Sequence, residues 1–112
     1  MPGRAASARR GDIYLAALPE PVGRRPVLRV TRSAAIEVRT AVTVAPITPS
    51  IRGSPRELPL GARHGRKTDS VANCDSLQTI PKDALRRRLG SLPSDGLSAL
   101  DRALRFALQD LE

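Results

Sequence analysis

The chain is short of the side chains that most enzymes use for chemistry. Its 112 residues include one cysteine, Cys74, and one histidine, His64. A single cysteine forms no internal disulfide, and no cluster of metal ligands accompanies the histidine, so neither a covalent staple nor a zinc site is expected. Tyr14 and Phe106 are the whole aromatic complement, and tryptophan is absent. No apolar run approaches the ~20 residues that span a bilayer, and the first ten residues lack the apolar core of a signal peptide. A cytoplasmic protein without membrane contact is expected.

Paired carboxylates are missing as well. Asp12, Glu20, Glu37, Glu57, Asp69 and Asp75 are scattered along the chain, with no close pair of the kind that glycosidic or two-metal chemistry uses. A nucleotide-binding P-loop is excluded, because Gly61 and Gly65 are not followed by Lys-Ser/Thr. His64 has no carboxylate or nucleophile at a telling spacing and lies among Arg63, Arg66 and Lys67, which reads as a solvated loop residue. Cys74 reads as a small buried hydrophobe. No metal and no cofactor are expected.

Arginine is what the chain has in excess. Basic residues number 19 against 11 acidic ones, a net charge of +8, and only Lys67 and Lys82 of the basic residues are lysines. Guanidinium forks match phosphate oxygens bidentately, so this balance suits a nucleic-acid backbone, although a compositional bias toward Ala, Arg, Gly and Pro would give it too. The distribution favours the first alternative. Residues 1–67 hold 13 basic and 4 acidic side chains, and residues 68–112 hold 6 and 7. The positive field belongs to the N-terminal two-thirds, where a polyanion would dock.

Length bounds the chain to one domain with a modest core. Residues 1–10 read as a flexible basic lead-in and residues 11–112 as the domain. Alternation and β-branched residues predict strands over 11–18, 26–32 and 40–47, with a shorter edge strand over 54–61 whose prolines suit a sheet margin. Residues 62–70 read as a mobile basic loop, and 70–80 as one bent strand or two short ones. After Pro81, residues 81–90 fit a short helical turn ended by Gly90. Leu97, Leu100, Leu104, Ala107, Leu108 and Leu111 then recur at spacings of three and four, an amphipathic helix begun by Ser94 or Asp95. The fold class is α+β, mainly β: a compact antiparallel barrel or curled sheet with a terminal helix packed on it.

One pair of residues stands out against this frame. Arg24 and Arg25 come just ahead of the second strand, and Thr48 just past the third. Antiparallel neighbours bring the start of one and the end of the other to the same sheet edge. Guanidinium and hydroxyl can act on a phosphodiester without metal when the substrate carries its own nucleophile, as RNA does in its 2′-hydroxyl. The alternative is that the arginines only grip phosphates while Thr48 caps a turn.

Several segments resemble the MazF/PemK-type toxins. "RRGDIYLAAL" resembles their RGDI opening, "GRRPVLRV" their R-P-V strand and "TVAPIT" their A-P-I-T segment. "SVANCDSLQTIPKDAL" is similar to their S-V-x-x-x-D-x-(I/L)-x-T-(I/V)-x-K-x-x-L run, and "RRRLGSL" continues into the helix. The resemblance implies a small SH3-like (CcdB/PemK-like) antiparallel barrel with a C-terminal amphipathic helix, assembled as a homodimer. It implies a metal-independent, sequence-selective endoribonuclease that cuts single-stranded RNA to a 2′,3′-cyclic phosphate and a 5′-hydroxyl. Arg25 and Thr48 fall on the family's catalytic pair, and Arg24, Ser50, Arg52, Asp75 and Gln78 are the expected RNA-binding residues. The implied partner is an acidic, MazE-like antitoxin whose tail occupies the RNA groove.

The chain departs from the family in two places. "PEPVG" replaces a longer G-S-E-x-x-G loop before Arg24, so that loop's RNA contacts do not carry over. Where many members read D-Q-I-R-T, this chain has Asp75, Ser76, Leu77, Gln78 and Thr79, which leaves base preference open. Two other functions share these features. A gyrase-poisoning toxin uses the same kind of barrel, but it works through a Trp-Gly-Ile tail and this chain ends in "QDLE". A non-catalytic RNA-binding barrel would explain the basic half and the scarcity of acid/base groups.

Overall fold

The computed structural model describes residues 9–31 and 40–109. Residues 1–8 of the expected lead-in, Glu37 and Leu111 lie outside the described residues. Seven strands form one antiparallel sheet: β1 (Asp12–Ala17), β2 (Arg24–Arg29), β3 (Ala41–Thr48), β4 (Glu57–Leu60), β5 (Ser70–Asn73), β6 (Gln78–Pro81) and β7 (Leu85–Ser91). They run in the order β4-β5-β3-β2-β1-β7, with β6 pairing the first half of β3 and β5 pairing its end. The sheet curls into a half-barrel, and one helix, α1 (Ser94–Gln109), packs on it.

Both faces of the sheet are covered, which is why Val27 and Leu28 are buried side by side in β2. On one face Ile13, Leu28, Ala45, Ile47, Leu58, Leu60, Ala72 and Cys74 pack against Leu100, Ala103 and Ala107 of α1. On the other a smaller group forms around Ala16, Val27, Val42, Val44, Ile80 and Ala84. Burying an aliphatic side chain contributes about 1.5–3 kcal/mol relative to leaving it in water, so the face carrying α1 dominates the stability.

Tertiary pairing corrects several sequence-based expectations. Residues 81–90 are not a helical turn: a 3-10 turn covers only Lys82–Ala84, and Leu85–Ser91 is a strand that pairs β1 along its length. The edge of β1 supplies a ladder of backbone hydrogen bonds that overrides the local helical spacing of Leu85 and Leu89. Gly90 does not end a helix but lets β7 lie against the backbone of His64 and Gly65. β2 starts two residues earlier than expected, so Arg24 and Arg25 lie inside it, opposite Ala17 and Ala16, and Thr48 is the last residue of β3. The run 70–80 is two short strands joined by a 3-10 turn at Cys74–Ser76.

Order also begins before residue 11. The Arg9 N–H donates to the Asp12 carboxylate at 2.9 Å, Arg10 Nε donates to the Val30 carbonyl at 3.2 Å, and the Arg10 guanidinium pairs with Asp101 of α1. In the helix, Leu100, Ala103 and Ala107 are buried, whereas Leu108 stays 56% exposed. The buried stripe thus follows 100, 103 and 107, and Leu108, one position on, rotates out of it.

Candidate active site

The register of β2 and β3 builds the site. Val27 pairs with Pro46, and continuing that register by two residues brings Arg25 level with Thr48. Alternation puts both on the face that carries Val27 and Val44, away from α1. Arg25 is exposed and Thr48 half-buried. Both residues therefore lie on the same face, two positions beyond the last β2–β3 pair. Arg24, being in the strand and not ahead of it, alternates to the opposite side of β2 from Arg25, so the two arginines do not form one clamp.

Thr48 is held as the chain leaves the sheet. Its Oγ1 accepts the Ser50 N–H at 3.1 Å, a local turn that threonine makes readily. A hydroxyl has one proton to donate, and that of Thr48 has no acceptor among the described residues. The turn-capping role and a chemical role are therefore compatible: the oxygen anchors the loop and the hydroxyl proton is not used by it.

Four further candidates remain to be placed. Gln78 pairs with Val44 on β3, which places it on the same face as Thr48, four residues back along the strand. Asp75 is the middle residue of the 3-10 turn Cys74–Ser76 after β5, its N–H held by the Asn73 side chain at 2.9 Å and its carboxylate 3.5 Å from Arg56 Nε. Ser50 and Arg52 lie exposed in the loop between β3 and β4. That loop is closed by Glu57, whose carboxylate accepts the N–H groups of Arg52, Gly53 and Ser54. No sequence motif announces this contact, because it depends on Gly53 adopting a left-handed φ of +77°.

Other ionisable groups are structural. Arg29 is 2% exposed, with its guanidinium 5.3 Å from the Tyr14 ring centre and its Nε and one Nη without a hydrogen-bond partner. Stacking on the aromatic ring is what compensates this buried cation in part. Asp12 is buried and lies 3.6 Å from Arg88. His64 is not a freely solvated loop residue: it is half-buried, and its Nδ1 accepts the Gly61 N–H at 3.0 Å. Burial, helped by Arg63, holds its pKa below the usual histidine value, with Asp95 opposing. Burial and the nearby Asp75 push the Cys74 thiol up to about 11, so it is neutral and a poor nucleophile. Among the described residues no three His, Cys, Asp or Glu side chains stand close enough to hold a metal ion, and no helix is long and apolar enough to cross a membrane.

The architecture is a small, mostly β fold: a curled antiparallel half-barrel sheet with one C-terminal helix packed on it. Residues 9–108 match the family of PemK-like, MazF-like toxins of type II toxin-antitoxin systems, and the chain belongs to that family. It is 44% identical over 80 residues to endoribonuclease MazF3 of Mycobacterium tuberculosis (strain ATCC 25618 / H37Rv), which covers 71% of this chain and 78% of that protein. Among solved structures it superposes on the Mycobacterium tuberculosis toxin MazF-mt6 with a TM-score of 0.81 and 40% identity, over 90% of this chain and 98% of that one. An endoribonuclease in complex with its cognate antitoxin, from a mycobacterial species, matches with a TM-score of 0.81 and 26% identity, covering 91% and 95% of the two chains.

Proposed function

We propose that the protein is the toxin of a type II toxin-antitoxin pair and cuts single-stranded RNA in the cytoplasm without a metal ion, at a short preferred sequence. What supports this is that Arg25 and Thr48 lie on the same sheet face, two positions beyond the Val27–Pro46 pair, with the threonine oxygen accepting from Ser50. In the reaction, the ribose 2′-oxygen bonds to the adjacent phosphorus and the bond from phosphorus to the 5′-oxygen breaks. The products are a 2′,3′-cyclic phosphate and a 5′-hydroxyl. Arg25 neutralises the charge that gathers on the phosphoryl oxygens, a task suited to its planar guanidinium fork. Thr48 donates to one of those oxygens and holds the phosphate in line for attack. Neither is a base at neutral pH, so the 2′-proton passes to water and water protonates the leaving oxygen. Ser50, Arg52, Asp75 and Gln78 grip the RNA around the cut, while Arg24, on the opposite side of β2, can hold only phosphate that passes over the sheet margin.

The partner is an acidic antitoxin, which fits the net charge of +8, and the working unit is a homodimer, which gives a chain with a modest core more apolar surface to bury. The purified protein, assayed with excess chelator on mixed-sequence single-stranded RNA, will yield fragments with cyclic-phosphate ends. Arg25→Ala and Thr48→Ala will reduce cutting to background while RNA binding survives in part. Cutting that requires added metal, or that persists undiminished in both variants, refutes the proposal.

A further inference from the structure

Three consecutive backbone amides after Thr48 converge on one side chain. Arg52 N lies 3.0 and 3.2 Å from the two Glu57 carboxylate oxygens, and Gly53 N and Ser54 N lie 2.9 and 3.3 Å from Oε1. Successive N–H groups turned to one point by a left-handed residue make an anion-binding nest, and bonds to a full charge are the stronger kind. The loop is tightened further by Glu57 N donating to the Ser54 carbonyl at 3.0 Å and by Arg56 N donating to Ser54 Oγ at 3.1 Å. At its other end Thr48 Oγ1 takes the Ser50 N–H.

Two consequences follow for a bound RNA. The amides of residues 50, 52, 53 and 54 are all engaged within the chain, so these four N–H groups are not offered to a base, and the exposed side chains of Ser50 and Arg52 are the loop's polar groups closest in sequence to Thr48. The same loop also forms one wall of a cavity of about 750 Å³, through Ile51, Gly53 and Ser54, with Pro59 and Val71 on another side. Val71 is the cross-strand partner of Thr48. Glu57 itself lines this cavity, so a base that reaches it past Thr48 and Val71 would meet a wall whose position Glu57 fixes.

We propose that Glu57 is a positioning residue for RNA recognition: by holding the amides of residues 52–54 it sets where Arg52 stands relative to Thr48, and thereby which base beside the cut is accepted. This rests on the endoribonuclease function proposed above. Glu57 itself touches no reacting atom, so its loss acts on substrate grip and selectivity and leaves the chemical step largely intact.

The test compares wild type, Glu57→Ala, Glu57→Gln, Arg52→Ala and the Glu57→Ala/Arg52→Ala double variant on an RNA pool and on one short substrate drawn from it. With Glu57→Ala, KM rises about tenfold and kcat changes less than about threefold, the pattern of lost binding that is common to ground and transition states. The preferred cleavage motif broadens. Glu57→Gln, which keeps an acceptor oxygen without the charge, falls between the two. Because Glu57 works through Arg52, the double variant is no worse than Arg52→Ala alone. Amide exchange at residues 52–54 quickens in Glu57→Ala while the thermal midpoint stays close to that of wild type. Wild-type cutting with KM and motif unchanged in Glu57→Ala, a fall in kcat at constant KM, or full additivity with Arg52→Ala overturns the proposal. Failure of the wild type to cut any RNA overturns the function above instead.

Discussion

The hydroxyl oxygen of Thr48 accepts the backbone N–H of Ser50 at 3.1 Å, one residue pair that joins the end of β3 to the loop carrying Ser50 and Arg52. In the proposed reaction the hydroxyl thus has two separable duties, to accept from the chain and to donate to the phosphate. Serine can perform both, and valine, which is close in shape, can perform neither. Thr48→Ser retains cutting to within about tenfold, whereas Thr48→Val loses roughly 10²–10³-fold, the size of one transition-state donor. Single-turnover rates on a fixed substrate measure both variants. Equal rates for Ser and Val show that the hydroxyl does no chemistry.

Leu100 and Leu108 belong to the same apolar periodicity in the sequence, yet Leu100 is 0% exposed and Leu108 is 56% exposed. Truncating a buried leucine removes its transfer energy and leaves a cavity. Leu100→Ala lowers unfolding stability by about 3–4 kcal/mol, and Leu108→Ala changes it by less than about 0.5 kcal/mol, the usual range for a surface position. Urea unfolding followed by circular dichroism separates them. A large loss for Leu108→Ala in the dimer but not at low protein concentration places Leu108 in a subunit contact.

Much of the architecture is legible in the chain because alternation of apolar residues is a direct image of the two-sided sheet: Val42, Val44, Ala45 and Ile47 announce β3 without help. What escapes is everything decided by a partner distant in sequence. The ends of β2 are set by its register with β1, which draws Arg24 and Arg25 into the strand and so separates them onto opposite faces. The run Leu85–Ser91 has leucines four apart and follows a proline, all helical signals, but β1 offers an open edge and the strand wins. Arg25 and Thr48 can be nominated together from the sequence because antiparallel strands return to the same edge. Glu57 is not, since its role is to bind backbone amides and any residue types at positions 52–54 would supply those.

Gly65 and Gly90 press two backbones together. A Cβ on Gly90 would collide with the His64 carbonyl oxygen, and one on Gly65 would come 2.6 Å from that of Leu89, at a φ of +83° that already disfavours any other residue. Neither obstacle is the flexible end of a side chain, so relief requires the 61–67 loop to lift from β7. Gly90→Ala costs about 2–3 kcal/mol, in the range of overpacked sites, which for a domain of this size lowers the thermal midpoint by roughly 10 °C or more. At temperatures where the variant is folded it cuts RNA at the wild-type rate, because neither Arg25 nor Thr48 contacts this seam. Calorimetry gives the shift. An unchanged midpoint means the loop and β7 are not packed as described.

His64 makes that same loop sensitive to acid. Its Nδ1 accepts the Gly61 N–H, which only the neutral ring with its proton on Nε2 can do. Burial and the Arg63 charge lower its pKa in the folded state below 6.5, while the unfolded chain titrates near that value. Between the lowered value and 6.5 the unfolded state therefore binds more protons than the folded one, and stability rises with pH across that window. The contribution is fully present above about 6.5 and is lost as pH falls through the folded value. His64→Gln, whose side-chain oxygen can accept the same N–H without titrating, removes this part of the slope. Urea midpoints for wild type and His64→Gln will converge at low pH only if the wild type declines from its neutral value while the variant does not. Parallel curves for the two proteins between pH 7.5 and 5 show that the imidazole is not the group responsible.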